Sequence, residues 1–176
     1  GKKWYGALYP NFIFKNENDI KDKALLMSII RQESRFDQRG KSPARAQGLM
    51  QILPSTAAFI MKNRDYRGKL RHDLLIPEKN IVIGEKYIQH LLKEPLIDND
   101  IIKLLAAYNG GPGNLNKWLK NVNFKKDPLL LIETIPSRET RNYIKEVLKN
   151  YYVYNNKFLY DEIKFEELAS GNWIIE

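Results

Sequence analysis

The 176-residue sequence contains no cysteine, which excludes a disulfide scaffold and a thiolate zinc site. Its two histidines, His72 and His90, show no spacing with acidic residues that is typical of a metal site, so we expect no metal and no cofactor. Apolar runs are short, because Lys, Asp or Asn interrupts each of them well before the roughly 20 residues that a membrane-spanning helix needs. No secretory signal pattern begins the sequence, and we interpret Gly1 as a cut point.

The charge is basic but scattered. Lys and Arg number 29 against 21 Asp and Glu, which gives a net charge of +8 without a basic block. A dedicated nucleic-acid-binding arm is therefore not expected. Two interpretations stay open, namely attraction to an acidic polymer and an ordinary solvated surface. A hydrophobic share of 43% predicts a folded chain with a real core.

The periodicity of apolar residues predicts an all-α protein of about seven helices with at most a small β element. We expect one domain over residues 1–176, with a core at about 5–154 and a tail at 157–176. The first predicted helix begins at a cap, Asp22 (or Asp19), and ends near Phe36. The others run from Pro54 to about Asn63, from Asp73–Pro77 to before Pro95, from the caps at 98–100 to Tyr108, around Trp118, and from Pro136 onward. The segment 129–135 is either extended or a helical turn.

Glu33 is the candidate catalytic residue. It falls on the apolar face that Leu26, Ile29 and Ile30 form, close to the end of its predicted helix. Desolvation and the helix dipole both disfavour a negative charge there, so we predict a raised pKa, which suits a general acid. The alternative is a partly exposed glutamate that forms an ion pair with Arg31 or Arg35.

Four further patterns occur in a fixed order along the chain. They are Gln32-Glu33-Ser34, the segment 48–54 (Gly-Leu-Met-Gln-Ile-Leu-Pro), the segment 106–113 (Ala-Ala-Tyr-Asn-Gly-Gly-Pro-Gly), and Glu133-Thr134-Ile135-Pro136 with the Glu-Thr-Arg-Asn-Tyr run at 139–143. The glycine-rich segment has neither a preceding strand nor a Walker ending, so we do not interpret it as a phosphate loop. Together the four segments resemble the catalytic domain of the bacterial soluble lytic transglycosylases, over about Tyr5 to Tyr154.

The resemblance implies a lysozyme-like α domain in the periplasm that cleaves peptidoglycan glycan strands, with no nucleic acid partner and often a large helical region ahead of it in the same chain. It implies that Glu33 is the sole catalytic acid and base. The residues that it places in the substrate groove are Ser42, Gly48, Gln51, Leu53, Tyr108, Asn109 and Glu133. Leu53 stands where relatives often carry Met, and Gly111 where Ala is common.

Five of these seven groove residues also have a plain structural interpretation. Ser42 suits a Ser-Pro turn, Gly48 a backbone position without room for a side chain, and Gln51 a surface position before a helix. Tyr108 would count as core, and we expect its hydroxyl to find the Glu33 carboxyl. Glu133 could pair with Arg138 or Arg141.

With one convincing carboxyl group, the two-carboxylate scheme of most glycosidases fits poorly. The resemblance implies a non-hydrolytic reaction that forms 1,6-anhydro-N-acetylmuramic acid ends. The alternatives are a hydrolytic goose-type muramidase and a peptidoglycan-binding domain without activity.

Overall fold

The computed structural model describes residues 9–10, 20–121, 124 and 127–159, without the side chains of 157–159. Seven α-helices lie in this part of the chain. They are α1 (Lys23–Ser34), α2 (Pro54–Ile60), α3 (Pro77–Leu92), α4 (Ile101–Gly110), α5 (Pro112–Asn121), α6 (Pro128–Thr134) and α7 (Arg138–Leu159), and two 3₁₀ helices, Arg64–Arg67 and Arg71–Leu75, lie between α2 and α3.

The all-α prediction is confirmed. Within the described ranges, β structure is limited to two isolated antiparallel bridges, Lys41 with Gln47 and Gln47 with Ile52. The segment 129–135, which the sequence left between extended and helical, is helical as α6. The alternative cap Asp19, the core boundary near Tyr5 and the tail after 159 lie outside the described residues.

Aspartates and prolines set the helix starts. The carboxylate of Asp22 accepts a hydrogen bond from the Leu25 amide at 2.8 Å, so the cap of α1 is Asp22. Asp100 and Asp127 cap α4 and α6 in the same way. The helices α2 and α3 begin with Pro, whose missing N–H is not needed in the first turn.

The core lies between α1 and α7, which pack along each other, and α4, which packs against α7 and α5. The middle of α1 is completely buried, as are most residues of α4. The Tyr151 hydroxyl of α7 donates to Asp22 at the start of α1, so the two helices run antiparallel and the end of α1 faces the start of α7. No helix of the described part combines the length and apolarity that crossing a bilayer requires.

Candidate active site

Glu33 lies in the last turn of α1, which ends at Ser34. The helix stops because Arg35 adopts a left-handed conformation with φ 53°, and Phe36 follows with φ 69°. The Arg35 amide still donates to the carbonyl of Arg31, which closes the helix end. The carboxyl group is thus held near the negative end of the helix dipole, partly buried from water.

Burial is the largest influence on the Glu33 carboxyl and raises its pKa from 4.5 to about 7. The hydroxyl of Tyr143 opposes this rise as a hydrogen-bond donor to the carboxylate, whereas the negative charge of Glu139 adds to it. The Tyr143 contact is loose, because its buried hydroxyl makes no hydrogen bond of standard geometry. The direction of the shift is the one that the sequence predicts, and a carboxyl group with this pKa still carries a proton near neutrality.

The alternative of an ion pair with Arg31 or Arg35 is not seen. Within the described residues Glu33 has no cationic partner within 4 Å. The Arg31 guanidinium instead stacks over the ring of Tyr9, at 4.3 Å from its centre. In the described part of the chain, no ion pair therefore holds the Glu33 carboxyl group in its charged form.

Tyr108 differs from the sequence prediction in the partner of its hydroxyl. The hydroxyl donates to the carbonyl oxygen of Met50 at 2.9 Å and not to Glu33. Tyr108 nevertheless lies within the electrostatic range of Glu33, whose charge adds to the burial that raises the pKa of the tyrosine. Its ring packs on Tyr87 of α3, with 5.4 Å between ring centres. Tyr108 thus joins α4, α3 and the 48–54 segment beside the acid.

A buried asparagine in α3 fixes the loop that carries the second motif. The Asn80 side chain accepts from the Met50 amide at 2.8 Å and donates to the carbonyls of Gln47 and Leu74 at 2.9 and 2.8 Å. Gly48 lies directly against it, since a Cβ there would stand 2.2 Å from the Leu74 carbonyl oxygen and 2.4 Å from Asn80 Nδ2. Its φ of 76° also favours glycine. Gly48 is therefore required by the protein's own packing, because the Leu74 backbone leaves no room for a side chain.

Gln51 and Ser42 have partners within the same loop. Gln51 Nε2 donates to the carbonyls of Gly40 and Gly48, at 3.1 and 2.9 Å. The Ser42 hydroxyl accepts from the Ala46 amide at 3.0 Å and closes a turn. Both side chains are partly exposed, and the described contacts leave the carbonyl oxygen of Gln51 and the hydroxyl hydrogen of Ser42 available.

Leu53 and Asn109 lie at the ends of helices α2 and α4. Leu53 precedes α2 and is 37% exposed, which is high for a leucine next to buried Ile52. Asn109 Oδ1 accepts from the Thr140 hydroxyl of α7 at 2.7 Å. This bond ties the glycine-rich segment to the start of α7, the helix that carries Glu139 and Tyr143.

Glu133 does not act on Glu33. Its carboxylate pairs with Lys145 at 2.6 Å on the exterior, and this pair lowers its pKa. The alternative to groove lining was an ion pair with Arg138 or Arg141, and of these only Arg141 contributes, as a weaker attraction. The acidic residue whose charge reaches Glu33 is Glu139.

Sequence reasoning missed three contributors to this site: Glu139, Tyr143 and Asn80. For the first two a signal was available, because Glu139 and Tyr143 are four residues apart at the start of α7 and therefore share one helix face. Asn80 gave a weaker signal, a polar residue next to the apolar stripe of α3. No group of three or more His, Asp or Glu side chains in the described ranges is arranged to hold a metal ion.

Comparison with known proteins points to one family. Residues 10–131 match the Transglycosylase SLT domain. The chain is 43% identical over 136 residues to the soluble lytic murein transglycosylase of Salmonella typhimurium, covering 76% of the chain and 20% of the relative. It is 39% identical over 155 residues to the protein of that name in Escherichia coli K12, covering 86% and 24%.

Two solved structures are similar as well. The 70 kDa soluble lytic transglycosylase of Escherichia coli superposes with a TM-score of 0.71 at 35% identity, covering 90% of this chain and 25% of that one. An inactive mutant of the lytic transglycosylase Slt of Pseudomonas aeruginosa gives a TM-score of 0.68 at 32% identity, covering 77% and 22%. The chain spans about a fifth to a quarter of the length of these relatives.

The fold is therefore the lysozyme-like helical fold of these enzymes. The chain belongs to the Transglycosylase SLT domain family.

Proposed function

We propose that this domain is a peptidoglycan lytic transglycosylase that cleaves the β-1,4 bond between N-acetylmuramic acid and N-acetylglucosamine in the bacterial periplasm. The observation that carries the proposal is Glu33, a partly buried carboxyl group with a pKa near 7 and no cationic partner in the described part. Family membership supports it, since the relatives are named lytic murein transglycosylases. The net charge of +8 favours approach to an anionic wall polymer.

In the first step, protonated Glu33 donates its proton to the glycosidic oxygen. The leaving bond breaks while the 2-acetamido oxygen of the muramic acid attacks C1, so the substrate supplies its own nucleophile. An oxazolinium-type intermediate forms, and Glu33 is left as a carboxylate. The Tyr143 hydroxyl then stabilises this carboxylate, because it favours the charged form of Glu33.

In the second step, the Glu33 carboxylate removes the proton of the C6 hydroxyl, and that oxygen attacks C1. The acetamido group is released, a 1,6-anhydro ring closes, and Glu33 regains its proton. No water is consumed. Because the attack is intramolecular, its effective molarity is high, and the protein has only to hold the sugar and exclude water.

Glu139 is assigned an electrostatic role in this scheme. Its exposed carboxylate raises the pKa of Glu33 and so keeps the acid protonated before reaction. We propose that Leu53, Ser42, Tyr108 and Asn109 line the groove, since each is at least partly exposed. Gly48 and Gln51 contribute by shaping the loop behind it, and Glu133 lies at the outer rim.

The experiment that tests the proposal is Glu33→Gln, assayed by the loss of turbidity of purified sacculi. The proposal expects activity to fall by at least about 10³-fold, because no other group replaces the proton donor. Pelleting with sacculi should stay as strong as in the wild type, which separates lost chemistry from lost binding. Glu146→Gln, an exposed glutamate on α7, is the matched control and should keep full activity. Equal clearing by wild type and Glu33→Gln contradicts the proposal.

A further inference from the structure

A cavity of about 270 Å³ lies at the opposite end of α1 from Glu33. It opens beside the cap residue Asp22, whereas Glu33 lies eleven residues further along the helix, about 16 Å away along the axis. Its walls come from the start of α1, one face of α3 and the turn before α4. The lining residues are Lys21, Asp22, Leu25, Glu85, Ile88, Gln89, Leu92, Lys93 and Asn99.

The lining combines both charges with an apolar floor. Leu25, Ile88 and Leu92 are buried and form the floor. Two carboxyl groups, Asp22 and Glu85, lie at one end of the α3 face. Lys93 lies eight residues after Glu85, two turns along the same face and about 12 Å along the axis.

Glu85 is incompletely satisfied. Its Oε1 accepts two long hydrogen bonds, from the Lys21 amide at 3.4 Å and from Gln89 Nε2 at 3.3 Å. Its second oxygen has no partner in the described part of the chain, and no lysine lies within 4 Å of it. Asp22 differs, since its two oxygens accept hydrogen bonds from the Leu25 amide and from the Tyr151 hydroxyl, each at 2.8 Å. Asp22 therefore contributes mainly negative charge, and Glu85 offers an open acceptor.

At the other end the exposed ammonium group of Lys93 has no ion pair in the described ranges. Lys86, the neighbour of Glu85 in the chain, lines the adjoining surface, and the charge of Lys21 reaches Glu85 without forming an ion pair within 4 Å. A ligand that satisfies both ends needs an ammonium group for Glu85 and a carboxylate for Lys93. Between them it needs a methylene chain to cover the apolar floor.

We propose that this cavity binds an amino acid whose terminal ammonium and carboxylate groups are separated by a chain of several methylenes. This chemistry occurs in free diamino acids and in peptidoglycan stem peptides that end in their diamino acid, whose α-carboxylate is then free. The second source rests on the function proposed above. In that case the cavity anchors a stem peptide at a point remote from the cleaved bond.

Binding is tested by calorimetric titration of the protein with three probes. 6-Aminohexanoate carries both charges, cadaverine has ammonium groups only, and hexanoate has a carboxylate only. The proposal expects 6-aminohexanoate to bind at least about tenfold more tightly than either of the others. It also expects shifts of the side-chain amide NMR signals of Gln89 and Asn99. Equal binding of all three probes, or no binding of 6-aminohexanoate, overturns it.

Two variants test the assigned ends. Glu85→Gln should weaken 6-aminohexanoate binding about tenfold, and Lys93→Gln should weaken it to a similar extent. Glu146→Gln on α7 is the control and should bind as the wild type does. Because Lys93 is exposed at the end of α3, its variant keeps the test valid even if Glu85→Gln misfolds. Unchanged binding in a folded variant overturns the proposal.

The source of the ligand is decided by comparing free lysine with a soluble disaccharide peptide that ends in a diamino acid. Tighter binding of the peptide assigns the cavity to stem peptides, and tighter or equal binding of lysine assigns it to the free amino acid. Binding of neither contradicts the proposal. These titrations use Glu33→Gln protein, so they do not depend on cleavage, and a failure of the proposed catalytic function leaves their outcome unaffected.

Discussion

The Tyr108 hydroxyl donates its hydrogen to the carbonyl oxygen of Met50, at 2.9 Å. This bond connects the 106–113 segment to the 48–54 segment, two motifs 58 residues apart in the chain. With its hydrogen donated to Met50, the Tyr108 hydroxyl does not donate to Glu33. The tyrosine that lowers the pKa of Glu33 is instead Tyr143.

Tyr108→Phe should therefore act through the loop and not through proton transfer. Loss of the bond leaves the Met50 carbonyl without this donor, so we expect the free energy of unfolding to fall by about 1–2 kcal/mol in urea titrations. The pH at which activity declines should stay where it is in the wild type. Tyr87→Phe is the matched control, because it keeps the ring contact and removes no described hydrogen bond. A large pH shift in Tyr108→Phe would show that its hydroxyl acts on Glu33 directly.

Glu139→Gln and Tyr143→Phe should move the pH profile in opposite directions. In the proposed mechanism Glu33 must be protonated to act, so kcat/KM should fall as pH rises through about 7. Removal of the Glu139 charge lowers the pKa of Glu33 and moves this decline to lower pH. Removal of the Tyr143 hydroxyl destabilises the carboxylate and moves it to higher pH.

Soluble glycan fragments are the substrate for these profiles. Because Glu139 is exposed, its effect should shrink as salt is added. Glu139→Gln should keep substantial activity at its own optimum. Its complete inactivity would instead give Glu139 a role as a second catalytic carboxylate.

The raised pKa of Glu33 also has a consequence for stability. The folded protein holds the proton up to about pH 7, whereas the unfolded chain releases it near 4.5. The glutamate therefore costs no stability below pH 4.5, and its cost grows as pH rises to about 7, where it reaches about 3 kcal/mol at most. Glu33→Gln removes this cost.

Thermal unfolding should show Glu33→Gln to be more stable than the wild type at about pH 9 and close to it at about pH 4. Glu146→Gln, which loses only an exposed ion pair, should show little difference at either pH. A stability gain that is the same at both pH values would argue that burial of the charged carboxylate does not destabilise the folded protein.

Asn80→Ala should be among the most damaging changes outside the catalytic group. It removes three hydrogen bonds to the backbone of the 47–74 region and leaves the buried Met50 amide without its acceptor. We expect the free energy of unfolding to fall by about 3–5 kcal/mol in urea titrations. Asn142→Ala, at an exposed position of α7, is the control and should change stability by less than about 0.5 kcal/mol. Near-equal stability of the two variants contradicts the role given to Asn80.

Local signals explain which features of the fold were predictable. Asp22 and Asp100 precede apolar helical patterns, so their capping roles follow from neighbouring residues. Glu33 stood out because a carboxylate interrupts an apolar face, which is also visible locally. The partner of the Tyr108 hydroxyl was not predictable in this way, because Met50 is distant in the chain and offers only a backbone carbonyl.

The acidic neighbour of Glu33 illustrates the same limit. Glu133 and Glu139 are six residues apart and both lie in the fourth motif. Glu133 lies near the end of α6, where it forms an ion pair with Lys145. Glu139 lies at the start of α7, where its charge reaches Glu33. Sequence patterns locate such a motif, but the packing of α1 on α7 determines which of its acidic residues raises the pKa of Glu33.

In the proposed mechanism Glu33 serves an intramolecular reaction in which water takes no part. Digestion of purified sacculi in H₂¹⁸O, followed by mass spectrometry of the released muropeptides, tests it most directly. We expect 1,6-anhydro ends that are one water lighter than reducing ends and carry no ¹⁸O from the cleavage. Reducing ends that contain ¹⁸O as the main product would contradict it and make the protein a hydrolase.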